Sequence, residues 1–443
     1  MRTVMILLGC LLLFGVGGAH SREVTLDGFL ALVEQHSKEL KLADQDVAMA
    51  RAQQSEATSL ALPHVSAQAV YNRNLRDTYM YADLGELTGE PGSIQKMRIN
   101  YDNEYAFGVT ATQTIFSGQV FSAIKAAGQY RQLTDFIYDA TWQQLITGAK
   151  QAFSQTLLLE VVWEVAQDAE QNALENFEGV TRAYQSGLVS EFEMLQAEVR
   201  YKDAIPQTTA ARRNYEVALV ALKNLAGIPV DDELSLLGSL DECPPMPTET
   251  PMDSVLAVRP DYRAFQWEER LRKTNVRAQQ AAYFPSLAAV AAYNYSAQSN
   301  EWRLENENNS VTVGLNLSIP IFQGGETRAK VRQARVDLEK ARVRREQARQ
   351  DIAKEAKSAR LRMEEAAGRI ESAHATLETA RKAFSIAETT SRSGLTTQLQ
   401  LKDSRIALDR ATLNYYSAVF EYLVALYDWD LVTGTVEPAR SVR

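Results

Sequence analysis

From Val331 to Ala387 apolar residues return at alternating steps of three and four, and no proline occurs between 321 and 437. The series runs through Ala334, Leu338, Ala341, Ala348, Ile352, Ala356, Ala359, Met363, Ala366, Ile370, Ala373, Leu377, Ala380 and Phe384. Only Arg345 interrupts it, and one additional four-step falls near Ile352. A 3.5-residue period held this long specifies coiled-coil packing rather than one face of a compact domain. Alanines alternating with larger residues let neighbouring helices approach closely. The pattern predicts a helix over about 324–391, roughly 100 Å long at 1.5 Å per residue.

The same design occurs twice. Leu62-Pro63 and Phe284-Pro285 each introduce an alternating stretch, and the two prolines are 222 residues apart. Phe116-Ser117-Gly118 matches Phe322-Gln323-Gly324 at an offset of 206. Ser186-Gly187-Leu188 matches Ser393-Gly394-Leu395, and Leu225-Ala226-Gly227 matches Val432-Thr433-Gly434, both at 207. The offset changes in one place, where a long segment (about 73–103) in the first half faces a short one (about 297–309) in the second. A fixed period of this kind marks duplicated structural units. The expected organisation is a signal peptide at 1–19, a first repeat at 20–227, a linker at 228–252, a second repeat at 253–434 and a tail at 435–443. The linker holds five of the twelve prolines and the run Asp231-Asp232-Glu233, a composition that cannot continue a helix and reads as passive.

A first long helix is expected over about 120–186, ended like its partner by a glycine, Gly187 or Gly394, where a left-handed conformation costs little. Shorter helices follow at about 188–226 and 395–433, and others precede the proline-led strands at about 38–62 and 260–284. In each half the two short helices together match the long one in length. The unit is a long rod beside a broken rod, and the helices alone also suit a non-conducting periplasmic coiled-coil scaffold.

Four segments alternate with period two. Val65, Ala67, Ala69 and Tyr71 oppose Ser66, Gln68 and Asn72, and Tyr105, Phe107, Val109 and Ala111 oppose Gly108, Thr110 and Thr112. Leu287, Ala289, Ala291, Tyr293 and Tyr295 form the third apolar set, and Val311, Val313, Leu315, Leu317 and Ile319 the fourth, against Thr312, Gly314, Asn316 and Ser318. Nine to eleven residues is the length of a tilted membrane-crossing strand, and the tyrosines near the loop ends suit an interfacial girdle. A soluble sheet packed on one face alternates in the same way. Four strands cannot close a barrel, and open edges are not tolerated in lipid, so membrane-crossing strands would have to be pooled between chains.

Composition narrows the function. Arg2, the apolar run Val4–Val16 and Gly17-Gly18-Ala19 read as an export signal, and the apolar run continuing past Cys10 favours an ordinary signal over a lipoprotein one. A net charge of −9 argues against nucleic-acid binding. His20, His36, His64 and His374 are scattered, and acid pairs such as Glu364-Glu365 suit solvated helix faces. No phosphate loop or nucleophile elbow is present. No catalytic, cofactor or metal residues are expected, and the chain reads as no enzyme.

In order and spacing these features resemble the TolC-type outer membrane factor family over nearly the whole exported chain. The cues are the duplicated halves, the strand endings Thr114-Ile115-Phe116-Ser117-Gly118 and Ile319–Gly325, the tips Ser186–Val189 and Ser393–Thr396, and the openings Val24-Thr25-Leu26-Asp27 and Arg259-Pro260-Asp261-Tyr262. The resemblance implies a mainly α fold with a small β part: long coiled-coil helices plus four membrane-spanning strands per chain. It also implies a homotrimer with a twelve-stranded barrel in outer-membrane lipid and a twelve-helix periplasmic tunnel. Its implied partners are a periplasmic adaptor and an inner-membrane transporter, its role is export, and small molecules are expected as cargo ahead of secreted proteins. The tips Ser186, Gly187, Leu188, Ser393, Gly394 and Leu395 become candidate adaptor contacts. The family's acidic entrance positions fall on Gln400 and Asp403, with Glu193 and Gln196 at the equivalent offsets in the first half. The family's Tyr and Arg latch falls on Ser391 and Thr396, so that brace is absent here; Tyr184 keeps the tyrosine in the first half.

Overall fold

The computed structural model describes residues 22–83, 94–393 and 397–436. The expected signal peptide, Gly394, Leu395 and most of the tail lie outside the described residues. Two long helices dominate, α3 (Gly118–Gln185) and α7 (Glu326–Arg392). Shorter helices are α1 (Leu26–His36), α2 (Lys38–Ser59), α4 (Glu191–Ala226), α5 (Met252–Val258), α6 (Pro260–Ala281) and α8 (Gln398–Thr433). The strands are β1 (Arg22–Thr25), β2 (His64–Arg73), β3 (Tyr79–Asp83), β4 (Ile94–Arg98), β5 (Asn103–Phe116), β6 (Leu234–Leu237), β7 (Ser286–Ser299) and β8 (Asn308–Ser318).

Every apolar member of the 331–387 series is buried or half-buried on α7. Arg345, the one interruption, is held by Glu269 of α6, so an ion pair takes the place of an apolar contact there. Helix ends follow local chemistry. Gly187, Gly227 and Gly434 have φ of 72°, 66° and 70°. In each case the following amide reaches back five residues: Leu188 to Ala183 O (2.9 Å), Ile228 to Lys223 O (2.8 Å) and Thr435 to Asp430 O (3.0 Å). This double closure satisfies carbonyls that the helix end would otherwise orphan.

The chain divides into two compact units, and each draws on both repeats. One comprises the described residues up to Gln45, Ile137–Arg263 and those from Ala348 on; the other comprises Asp46–Phe136 and Ala264–Gln347. The two repeats therefore do not fold as separate bodies: in the first unit α3 of the first repeat packs against α8 of the second. In the first unit the core gathers Phe29 and Val33 of α1, Trp142, Ile146 and Phe153 of α3, Leu222 of α4, and Val419 and Leu423 of α8.

The passive-linker expectation is corrected. Residues 234–237 form β6, which pairs in parallel with β1, and Leu234, Leu236 and Leu240 join the core. Tyr422 donates to Pro244 O (2.7 Å) and Arg360 to Pro247 O (2.8 Å), so prolines that cannot donate still anchor the segment through their carbonyls. The long segment after β2 is likewise more than a polar loop. Its β3 and β4 pair antiparallel, with Tyr79 opposite Arg98 and Tyr81 opposite Lys96.

Candidate functional site

The second unit carries an antiparallel sheet in the order β2-β5-β7-β8. Its register places every predicted apolar set on one face. Val65 faces Ala111, Ala111 faces Ala291 and Ala291 faces Val313; two residues along, Ala67, Val109, Tyr293 and Val311 line up in the same way. The opposite face carries Ser66, Thr110, Thr312 and, farther along, Gln68, Gly108, Asn294 and Ser310. Nothing among the described residues covers the apolar face: Val311, Val313 and Leu315 are 74%, 77% and 72% exposed. Leaving so much branched aliphatic surface in water is costly. Each edge strand, β2 and β8, has one neighbour among the described residues.

Aromatic residues sit at both ends of this sheet. At the loop end Tyr71 packs against Tyr105 (5.1 Å between ring centres) and Trp302 (5.3 Å). Buried Asn103 ties this end together: its Oδ1 accepts from Tyr71 OH (2.9 Å) and its amide donates to Ser299 O (3.2 Å) and Glu301 O (3.1 Å). At the helix end Phe116, Phe284 and Phe322 stand exposed, Phe322 by 88%. Tyr105 to Phe116 is eleven residues. At about 3.4 Å per residue and a tilt near 45° the aromatic bands stand about 26 Å apart, the height of an outer-membrane apolar belt. The sequence reading found the tyrosine band and missed Trp302 and the phenylalanine band. Phe116, Phe284 and Phe322 each border a predicted strand, a placement that could have revealed the second girdle.

The first unit carries the helix-hairpin tips. Gly187 ends α3 with open space around its Cα, and Ser186 and Leu188 are exposed, Leu188 by 79%. Ser393 is exposed, and its hydroxyl donates to Thr389 O (3.2 Å). Two of the four entrance candidates have a structural role. Glu193 N–H donates to Ser190 Oγ (3.3 Å) while Ser190 N–H donates to the Glu193 carboxylate (3.4 Å). Gln400 and Thr397 repeat this exchange at 3.2 and 3.1 Å. These are reciprocal capping boxes, legible in the sequence as Ser-x-x-Glu and Thr-x-x-Gln. Gln196 and Asp403 are exposed on the second turns of their helices and make no cap. No hydrogen bond or ion pair among the described residues joins the first tip to Ser393 or Asp403.

Farther along the hairpins, Arg405 of α8 pairs with Asp409 (2.9 Å) and reaches Asp168 of α3 (3.4 Å). Burial raises the Asp409 carboxyl above its ordinary value, with Arg405 opposing. Tyr215 of α4 stacks on Trp163 and donates to Glu160 Oε1 of α3 (3.2 Å). Burial also raises Glu160, and the Tyr215 bond pulls the other way. Arg259 of the Arg-Pro-Asp-Tyr segment is buried; it clamps Asp261 (2.9 Å) and reaches Glu355 of α7 (3.2 Å) and Val432 O of α8 (3.4 Å). It thus ties the start of α6 to both helices of the second hairpin.

Cavities of about 560 and 630 Å³ in this unit are lined by charges of both signs, such as Arg259, Lys354 and Glu355 in one and Arg362, Glu365 and Arg369 in the other. Among the described residues no cluster of His, Cys, Asp or Glu could hold a metal, and Cys243 is a free, exposed thiol. No described helix is long and apolar enough to cross a membrane.

Comparison with known proteins agrees with this arrangement. The sequence profile of the outer membrane efflux protein family matches residues 30–228 and 252–428. The alkaline protease secretion protein AprF of Pseudomonas aeruginosa is 26% identical over 54% of this chain and 51% of its own length. The solvent efflux pump outer membrane protein SrpC of Pseudomonas putida is 22% identical over 68% of this chain and 62% of its own. The chain thus spans about half to three-fifths of the length of these curated relatives. Among solved structures, the Campylobacter jejuni CmeC outer membrane channel superposes with a TM-score of 0.78 at 18% identity, covering 94% of this chain and 87% of that one. The fold expected from the sequence, long coiled-coil helices with a small β part, is the fold of these channels. With the profile covering both repeats, the chain belongs to the outer membrane efflux protein family.

Proposed function

We propose that the protein is the outer-membrane duct of a tripartite export system, in which three copies pool their strands into a twelve-stranded barrel and their helices into a periplasmic tunnel. The observation that carries this reading is the one-faced sheet, whose aligned apolar sets lie uncovered between two aromatic bands. An open four-stranded sheet is unstable in lipid because its edge amides and carbonyls find no partner, and eight strands is about the smallest closed barrel. Three copies give twelve strands and remove every edge. The polar face of Ser66, Thr110, Asn294 and Thr312 then lines water. A periplasmic scaffold would leave the apolar face without an environment.

The duct catalyses no reaction. Ser186, Gly187 and Leu188, together with Ser393, Gly394 and Leu395, are the proposed docking points for the periplasmic adaptor, which in turn meets an inner-membrane transporter. Leu188 offers an exposed apolar knob. Entrance charge is assigned to Asp403, because Gln400 is neutral and the Glu193 carboxylate is engaged in its cap. Threefold symmetry would set three Asp403 carboxylates around the axis and concentrate cations there. Small molecules are the proposed cargo, the class that SrpC is named for. The name of AprF favours a second reading, secretion of a protein.

Planar-bilayer recording of the detergent-purified protein tests the channel. Trimers should conduct, multivalent cations should block, and Asp403→Asn should weaken that block about tenfold. A monomer extracted from the periplasm by salt, or trimers without conductance, would sink the reading. A deletion strain that accumulates dyes and solvents while still secreting proteins would settle the cargo as small molecules.

A further inference from the structure

Helix α6 ends just before the phenylalanine band. In the second unit the exposed residues of α6 are Arg270, Lys273 and Arg277, at spacings of three and four and therefore on one face. None has a carboxylate within ion-pair distance among the described residues; Arg270 lies over the Trp267 ring at 4.6 Å. The repeat counterparts at the 222-residue offset are Ala48, Arg51 and Ser55, so the stripe is not inherited from the duplication.

This face is neither a flank nor a seam between copies. β7 lies between β5 and β8, so α6, which leads into β7, has α3 on one side and α7 on the other; at the end of α6, Gly118 of α3 lies so close to Ala281 that a Cβ on the glycine would stand 2.9 Å from the alanine's. On the other, α7 reaches Glu269 through Arg342 (3.4 Å) and Arg345. With both sides occupied, α6 has two free faces, and in a closed ring of helices these are the lumen and the exterior. The face opposite the stripe, Glu268, Arg272, Asn275 and Gln279, is half-buried. Crowded side chains mark the concave side of such a wall and free-standing ones the convex side, so the basic stripe points outward.

Its height follows from the helix. Arg277 lies four residues before the end of α6, about 6 Å by helical rise, and Lys273 about 12 Å. Beyond the helix end come Tyr283 and Phe284, 53% and 64% exposed, and then β7. An aromatic pair backed by unpaired basic side chains is the pattern of an interfacial anchor at a charged bilayer surface. We infer that Arg270, Lys273 and Arg277 form a binding site for the phosphate headgroups of anionic phospholipid in the leaflet facing the periplasm. The inference rests on the channel reading above, since it takes β7 to enter the membrane. The site fixes the depth and tilt of the barrel from its periplasmic side.

The test uses full-length protein reconstituted into phosphatidylcholine bilayers, with spin-labelled phosphatidylglycerol or phosphatidylcholine as the probe. Each basic side chain at an anionic surface contributes about fivefold within a Debye length. The wild type should therefore prefer phosphatidylglycerol, less so at high salt, and R270Q/K273Q/R277Q should weaken that preference about tenfold or more. Single variants should rank R277Q above K273Q above R270Q. Equal charge removal in the other unit, at Arg213, Lys382 and Arg410, should change nothing. A wild type indifferent to headgroup, or a triple variant that keeps its preference, overturns the site while conductance in neutral bilayers leaves the channel standing. A triple variant with altered ion selectivity and unaltered lipid preference places the stripe in the lumen and also overturns it. Failure of the wild type to enter neutral bilayers sinks the channel reading instead.

Discussion

Helix α4 opens at Ser190 and closes at Gly227; 207 residues later α8 opens at Thr397 and closes at Gly434. Between those fixed points the two repeats part. Glu193 in the first cap is Gln400 in the second, the basic stripe of α6 has a single counterpart, Arg51, in α2, and β3 and β4 occur only in the first strand connection. Caps and left-handed glycines answer to backbone sterics and orphaned amides, which a duplicated backbone presents twice. Charge answers to whatever lies outside the wall, and the two repeats need not meet the same surroundings. Features shared by the repeats therefore report folding, and features that differ report function.

Substitution of the helix-ending glycines gives the largest effect and separates two uses of one conformation. A Cβ on Gly227 would stand 2.7 Å from His36 Cβ, on Gly434 it would stand 3.3 Å from Val258, and on Gly187 it would meet nothing within 4 Å. A non-glycine residue at positive φ costs about 1 kcal/mol by itself. Gly187→Ala should cost that alone, Gly434→Ala slightly more, and Gly227→Ala more than about 2 kcal/mol because the end of α1 at His36, backbone included, must move. Denaturant midpoints measure the series. Equal shifts at the three sites would mean that strain outweighs packing.

The caps come next. Ser190→Ala and Thr397→Ala should each cost about 1 kcal/mol and agree with one another, since both remove an acceptor from an N-terminal amide. Glu193→Gln should cost less than either. Gln400 already makes the reciprocal bond with an amide oxygen, so this change loses only the attraction of a carboxylate for the helix dipole, about 0.3–1 kcal/mol. A loss as large as that of Ser190→Ala would show that the Glu193 charge does more than cap.

Much of this was legible in advance because period and position carry it. The helices begin and end within about three residues of the expected bounds, and Gly187 ends the first long helix as expected. The alternating sets predicted which residues share a face, and the observed register put all four sets together. Features that rest on distant partners were hidden. β6 has only four residues, in a proline-rich stretch, and its partner β1 lies about two hundred residues upstream. Arg345 looks like a fault in the heptad until Glu269 arrives from another helix. At the entrance, Glu193 and Gln400 matched by offset from the tips, but offset does not distinguish a lining residue from a cap.

The smallest effect uses a tyrosine that the duplication kept in place. Tyr215 and Tyr422 are 207 residues apart; Tyr215 donates to the Glu160 carboxylate (3.2 Å) and Tyr422 to Pro244 O (2.7 Å). The residue matching Glu160 at that offset is Ala367, so only the first repeat places a titratable group there. Burial raises Glu160 above its ordinary value, and the folded chain therefore holds this proton more tightly than the unfolded one. The associated stability is fully present below the ordinary carboxylate value and is lost as pH rises through the raised one. Glu160→Gln, which keeps the acceptor and cannot ionise, should match the wild type below about pH 4 and exceed it slightly at pH 7, read as apparent unfolding midpoint against pH. Tyr422→Phe should lower stability by about 1 kcal/mol at both pH values, because a carbonyl has no proton to exchange. A flat profile for wild type and Glu160→Gln alike would mean that the Tyr215 bond balances burial, and that the two repeats hold their tyrosines on equal terms.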